Sequence, residues 1–365
     1  MKRLILFITL LSFFSCARQI NDEPKDIFPL FSAWGRAGIF EGKSDQEILD
    51  YLKNLKSNHI DAVFLDAPND TYKHVSPIFA KAEVILHAWR PTMINNSKEM
   101  IEKHKDWYAV SREGKSVVDA PPYVGYYHFM CPRNPEVKEY LTQEYLKIAH
   151  IPGIASIHFD YIRYCDVYLP DALQPHYGLV QDHEMAPYDY CYCDRCRSAF
   201  KEEYGRDPME EKDPSKDKDW AEFRLKPIVD IVNAISAKVA QETGVASSAA
   251  VFPTPEMAKT HVRQDWSKFK IDAVCPMLYN GFYNEPISWI GDGVREGIAT
   301  MEVRKELLAG VYVPDIKEPN KMNEAISQAL DNGAQGVVFF NLPDMTDAHL
   351  ALIKERYEQY EKDNK

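Results

Sequence analysis

The run Pro135-Glu-Val-Lys-Glu-Tyr-Leu-Thr-Gln-Glu-Tyr-Leu-Lys-Ile-Ala149, a short turn, and then Ser156-Ile-His-Phe-Asp160 reads as an amphipathic helix feeding a brief apolar strand. Outward from it the same unit recurs in both directions. Short apolar runs lie at 28–34, 62–65, 84–88, 156–160, 246–251, 273–278, 307–311 and 336–340. Helical patterns follow at 45–57, 96–104, 135–149, 218–242, 285–299, 319–331 and 346–362. Ser44 stands three residues before Glu47, the spacing of a capping box. Gly244 and Gly333 fall just past helical patterns, where helices stop. Alternating strand and helix signals predict parallel βαβ units. Eight of them predict one α/β domain closed as a (β/α)8 barrel, a TIM barrel, over 27–365. No glycine-rich phosphate loop follows the first strand, which argues against a dinucleotide-binding sheet. Long insertions after strands three (90–134) and four (162–217) fall at strand ends, where barrel enzymes build their sites.

The 365 residues suit a single barrel, and 45% hydrophobic content fills a large core. A formal charge of −12 excludes bulk electrostatic binding of nucleic acid, whose phosphates demand a basic surface. Aromatic content is 12%, with 21 Tyr and 6 Trp, which supplies rings for packing or for stacking on sugars. The N-terminus predicts export. Met1-Lys2-Arg3 is basic, residues 4–14 are apolar but too short to span a bilayer, and Ser15-Cys16 closes the segment. This resembles the lipobox of bacterial lipoproteins and implies acylation of Cys16; plain signal-peptide cleavage is the alternative, since Phe13 and Phe14 depart from the commonest lipobox. Residues 17–26 then form a polar tether, and the lipid is the only expected contact with a membrane.

Asp160 ends the fourth strand, followed by Tyr161 and Arg163. Glycosidic cleavage needs two carboxyl groups, one to protonate the leaving oxygen and one to act as base or nucleophile. The neighbouring arginine is expected to hold Asp160 ionised by lowering its pKa. Partner carboxylates at strand ends are Asp315, which ends Val-Tyr-Val-Pro-Asp, then Glu256 in Pro-Thr-Pro-Glu, with Asp66 and Asp344 behind them. Trp34, Arg36, Asp66, His87, Trp89, Arg163, Tyr279, Asn280 and Asn341 stand at strand ends and suit a polyol ligand: rings to stack, amides and an imidazole for hydroxyls.

Seven cysteines are present. Cys275 lies inside strand six and reads as apolar core. Cys191-Tyr-Cys193-Asp-Arg-Cys196 places three thiols too close to pair readily with one another. With Cys131 or Cys165 as a fourth ligand they predict a closed, structural Zn2+ site. An exported location equally permits disulfides.

Two resemblances carry these motifs. Tyr127-His-Phe-Met-Cys131-Pro-Arg-Asn-Pro135-Glu-Val, the strand-four carboxylate and Cys191-Tyr-Cys193-Asp-Arg-Cys196-Arg-Ser-Ala-Phe200 follow the order seen in glycoside hydrolase family 42 β-galactosidases. That resemblance implies zinc on Cys131, Cys191, Cys193 and Cys196, with Cys165 left free, and Asp160 in the acid/base position. The second resemblance is to family-10-like glycosyl hydrolase lipoproteins of bacteria. It rests on Asn134-Pro-Glu-Val-Lys-Glu-Tyr, His158-Phe-Asp-Tyr-Ile-Arg-Tyr and Asp272-Ala-Val-Cys-Pro-Met-Leu-Tyr. The chain departs from family 42 in having Phe159-Asp160 where that family has Asn-Glu, and no Glu ends strand seven. The expected function is therefore hydrolysis of O-glycosidic bonds in an oligosaccharide or polysaccharide by Asp160 and a second carboxylate. The rival is a glycan-binding surface lipoprotein that keeps the barrel without catalysis. A metal-dependent hydrolase of another bond ranks last, because the 11 His form no H-x-H or HExxH pattern.

Overall fold

The computed structural model describes residues 27–363; the Cys16 lipidation and tether expectations lie outside them. Eight parallel strands close into a barrel in sequence order. They are β1 Phe31–Arg36, β2 Ala62–Asp66, β3 Ile85–Pro91, β4 Ile154–Asp160, β5 Ala246–Val251, β6 Ala273–Pro276, β7 Glu306–Tyr312 and β8 Gly336–Phe340. Phe31 pairs with Val337 to complete the ring. The helices are α1 Asp45–Ser57, α2 Asn69–Ala82, α3 Lys98–Lys103, α4 Pro135–Ala149, α5 Asp194–Tyr204, α6 Lys218–Thr243, α7 Pro255–Val262, α8 Trp289–Thr300, α9 Pro319–Leu330 and α10 Asp347–Asp363. Among the described residues no helix is long and apolar enough to cross a membrane.

Two cores follow from strand geometry, since alternate side chains face opposite sides of the sheet. One fills the space between strands and helices and includes Val63, Leu65, Phe159, Val274, Val337 and Phe339. The other fills the barrel interior with Phe28, Trp34, Phe64, Cys275, Leu308 and Val338. Trp34 fits there because Gly310 has no side chain: a Cβ at 310 would come within 2.8 Å of the indole. The interior also holds polar groups, several of which bond in pairs. His87 Nδ1 meets Ser156 Oγ at 2.7 Å, and His158 Nδ1 meets Ser248 Oγ at 2.8 Å.

The capping box at Ser44 is formed, with the Glu47 carboxylate reaching back to the Ser44 backbone N–H. Three helices were not expected from the sequence pattern. Pro77 lies inside α2 and masks its period. The eight residues of α7 are too few to show one. The run of α5 starts inside the cysteine motif. The segment between Pro91 and α4 and the one between Asp160 and α6 both stand over the C-terminal ends of the strands. They are zipped together there, with Thr92 N–H donating to the Asp160 carbonyl at 2.7 Å and Met93 N–H to that of Tyr161 at 3.2 Å.

Candidate active site

Strand register sets the rim. Arg36 pairs with Asp66, Asp66 with Trp89, and Pro91 with Asp160, so four strand ends deliver their last side chains to one face. Asp160 is the carboxylate at its floor. Its Oδ2 accepts from Trp89 Nε1 at 2.9 Å and its Oδ1 from the Tyr161 N–H at 2.6 Å. Tyr161 has φ +45°, the left-handed region that a residue with a Cβ enters at a cost of about 1–2 kcal/mol. That twist turns its amide back onto the preceding carboxylate.

The expectation that an arginine depresses Asp160 is corrected by the structure. Arg163 turns to Asp166, at 3.0 Å, and only its longer-range charge reaches Asp160. Burial dominates and raises the Asp160 pKa; the hydrogen bonds from Tyr161 and Trp89 pull the other way without reversing it. Asp160 is thus biased toward the protonated form.

A cavity of about 310 Å3 opens above Asp160. Trp34, Arg36, Trp89, Arg163 and Tyr279 of the expected set line it. Asp166 shares it and was not singled out from the sequence. Tyr279, Tyr312 and Phe340 form one aromatic wall, with centroids 5.9 Å apart for Tyr279–Phe340 and 6.0 Å for Tyr312–Phe340. Tyr123, Tyr126 and Tyr127 hang over it from the insertion after β3. Trp34 is held from below, its Nε1 donating to His158 Nε2 at 3.1 Å. Accepting that bond leaves the His158 proton on Nδ1, directed at Ser248. Burial keeps His158 well below the usual histidine pKa and therefore neutral.

A second, larger cavity of about 570 Å3 adjoins the first, sharing Arg36, Tyr126 and Tyr161 with it. Asp66, Arg90, Asn95 and Asn96 face this second space.

Other expected residues stand elsewhere. His87 is fully buried in the barrel, stacked on Phe64 with centroids 4.3 Å apart, and its pKa is pushed down to about 3 by burial. The reason is register: β3 continues to Pro91, so His87 lies a layer below the rim. Asn280 donates to the Glu285 carbonyl at 2.9 Å inside its own turn. Asn341 is not among the residues lining either cavity, and its Oδ1 is buried without a hydrogen-bond partner among the described residues. Asp315 packs against Gly281, and Glu256 sits exposed in the first turn of α7; neither lines either cavity.

The sulfurs of Cys131, Cys191, Cys193 and Cys196 all lie within 4.8 Å of one another. Cys131 Sγ is 3.7 Å from Cys193 Sγ and 3.5 Å from Cys196 Sγ. A disulfide needs about 2.05 Å. Tetrahedral zinc thiolate at about 2.3 Å puts sulfurs about 3.8 Å apart, so the donor set fits a four-coordinate metal. Three of the thiols are buried and the fourth half-buried, and the Val110 N–H points at Cys191 Sγ at 3.4 Å. Cys165 is buried apart from the group. The four thiols come together where the insertion after β3, which carries Tyr123, Tyr126 and Tyr127, meets the segment leading into α5.

Comparison with known proteins agrees with this architecture. Residues 93–296, more than half of the chain, match the family described as "Putative glycosyl hydrolase domain". No curated protein matches the sequence. Among solved structures, the chain superposes on the PgaB (BpsB) glycoside hydrolase domain from Bordetella bronchiseptica with TM-score 0.65 at 13% identity, covering 88% of this chain and 95% of that one. The β-amylase catalytic domain from Paenibacillus polymyxa gives 0.62 at 12%, covering 89% and 97%. A catalytic mutant of a GH42 β-galactosidase from G. stearothermophilus gives 0.62 at 12%, covering 92% and 57%. At these identities the likeness is one of fold.

Proposed function

Because the chain belongs to that family of glycosyl hydrolase domains, we propose that it cleaves O-glycosidic bonds of an oligosaccharide or polysaccharide, with Asp160 as general acid. The observation that carries the reading is the Asp160 carboxyl: buried at a barrel mouth, raised in pKa, and held by two N–H donors beneath an aromatic-walled cavity. A carboxyl whose raised pKa favours its protonated form can deliver that proton to a leaving oxygen. Each carboxyl oxygen accepts one hydrogen bond and keeps a lone pair for that proton. The second carboxylate is Asp166, which lines the same cavity and is held by Arg163 at 3.0 Å. Tyr279, Phe340 and Trp89 offer faces for the apolar sides of a sugar ring.

The four cysteines bind Zn2+ as a closed structural site that takes no part in proton transfer. The chain is exported and anchored through a lipid on Cys16, which presents the barrel to glycans of the cell envelope or its surroundings.

A second reading is a glycan-binding protein without turnover. It is favoured by the placement of Asp315 and Glu256, the sequence's partner carboxylates, outside both cavities. A reducing-end release screen over a broad glycan panel, with Asp160→Asn in parallel, separates the two. Cleavage that falls by about 100-fold or more in the variant supports the hydrolase. Cleavage unchanged in the variant removes Asp160 from the chemistry. Saturable binding with no cleavage supports the second reading.

A further inference from the structure

The two cavities differ in character. The one over Asp160 is walled by rings; the adjoining one presents two guanidinium groups. Arg36 stands at the opening common to both and makes no hydrogen bond or ion pair within 4.0 Å among the described residues; its Cζ lies 5.8 Å over the Trp89 ring. Arg90 spends one N–H on Asn69 Oδ1, at 3.1 Å, out of the five that a guanidinium carries. Asp66 lies between them on β2 and its pKa is raised by burial against the pull of both arginines. Glu144, on the far wall, is held by Lys147 at 2.6 Å. Two positive groups therefore face one interior carboxylate, and at least one positive charge is left uncompensated, in a protein whose formal charge is −12. Asn95 and Asn96 add amide groups to the same space.

We propose that this adjoining cavity is a subsite for an acidic sugar unit, whose carboxylate or sulfate ester is taken by Arg36 and Arg90. This rests on the glycan reading above and narrows it to acidic glycans. The guanidinium fork suits either anion, since both offer paired oxygens to parallel N–H groups. A neutral sugar would leave the fork unanswered. The net charge of −12 opposes a polyanion overall, so this pair of arginines is also the place where such a chain would be registered.

The test needs only binding. Sodium glucuronate, glucose 6-sulfate and glucose are titrated into the protein while the fluorescence of its tryptophans, Trp89 beside Arg36 among them, is followed. At least one of the two acids is expected to bind about tenfold or more tightly than glucose, the scale of a charge-assisted contact. The acid with the advantage identifies the anion. Arg36→Gln and Arg90→Gln should each cut that advantage, and the double variant should erase it. Arg36→Lys should retain part. Equal binding of all three sugars overturns the proposal, as does a preference that survives in the double variant. Failure of the hydrolase reading looks different. An acid preference without cleavage of any glycan leaves the subsite standing and removes the catalysis. Cleavage of a neutral glycan that depends on Asp160, with no acid preference, does the reverse.

Discussion

On the zinc reading proposed above, serine in place of Cys193, or a chelator, unfastens the insertion after β3 from the loop before α5. The cost can be worked from the chain. Cys131 and Cys191 close a loop of about 60 residues, and a cross-link across such a loop removes about 14 cal/mol/K from the unfolded state, or ~4 kcal/mol at 25 °C. A domain of about 340 residues unfolds with an entropy of ~0.7 kcal/mol/K, so the loss lowers Tm by about 6 °C. The assay is differential scanning calorimetry of the metal-loaded protein, the chelated protein and Cys193→Ser, with bound zinc counted per chain. The same loss frees Tyr123, Tyr126 and Tyr127, so glycan binding should weaken alongside. A Tm that moves less than about 1 °C on chelation, with no zinc bound per chain, refutes the reasoning. A Tm lowered by reductant instead of chelator would mean that the sulfurs pair covalently.

Trp89→Phe removes the Nε1 donor from Asp160 Oδ2. That donor favours the ionised form, so its loss raises the Asp160 pKa further. As a general acid Asp160 works in its protonated state. Activity is therefore lost as pH rises through the raised pKa, and in the variant the alkaline limb of kcat/KM should move upward; a downward move sinks the acid assignment. Asp189→Ala should destabilise by about 3–5 kcal/mol, read from urea midpoints. Asp189 is fully buried, bonded to Arg224 and within 3.7 Å of both Arg112 and Arg263, so its removal strands several buried cations. Burial alone would raise its pKa, but Arg224 and Arg263 hold it below the usual carboxylate range. Its contribution is thus present above the ordinary Asp pKa and lost as pH falls through the depressed one; a midpoint insensitive to the substitution would refute the network.

The barrel was legible because its strands are buried on both faces and stand out as short, mostly apolar runs. β5 and β8 run over the expected residues, and Asp160, Trp34 and Trp89 could be placed from strand ends alone. Boundaries carried the errors that mattered. Ending strand three at 88, where β3 continues to Pro91, brings His87 up to a rim it does not reach. The tyrosines at 123, 126 and 127 and the carboxylate of Asp166 come from loops, whose side chains follow no period. The one signal that pointed to them was the length of the two insertions. Arg163 next to Asp160 in sequence suggested a pair; the turn at Tyr161 sends the guanidinium to Asp166 instead. The cysteine cluster was legible because three of its members fall within a few consecutive positions, and Cys131 joins the trio at contact distance.

The seam between β1 and β8 joins Phe31 to Val337, partners about 300 residues apart along the chain. Until residues 336–340 are available, β1 has an unpaired edge and Trp34 has no Phe340 against it. Folding therefore finishes late, and contacts this remote in sequence form slowly. On the export proposed above, that slowness has a use: closure waits for the far end of the chain, which leaves a window in which a translocation machine would still meet an unfolded substrate.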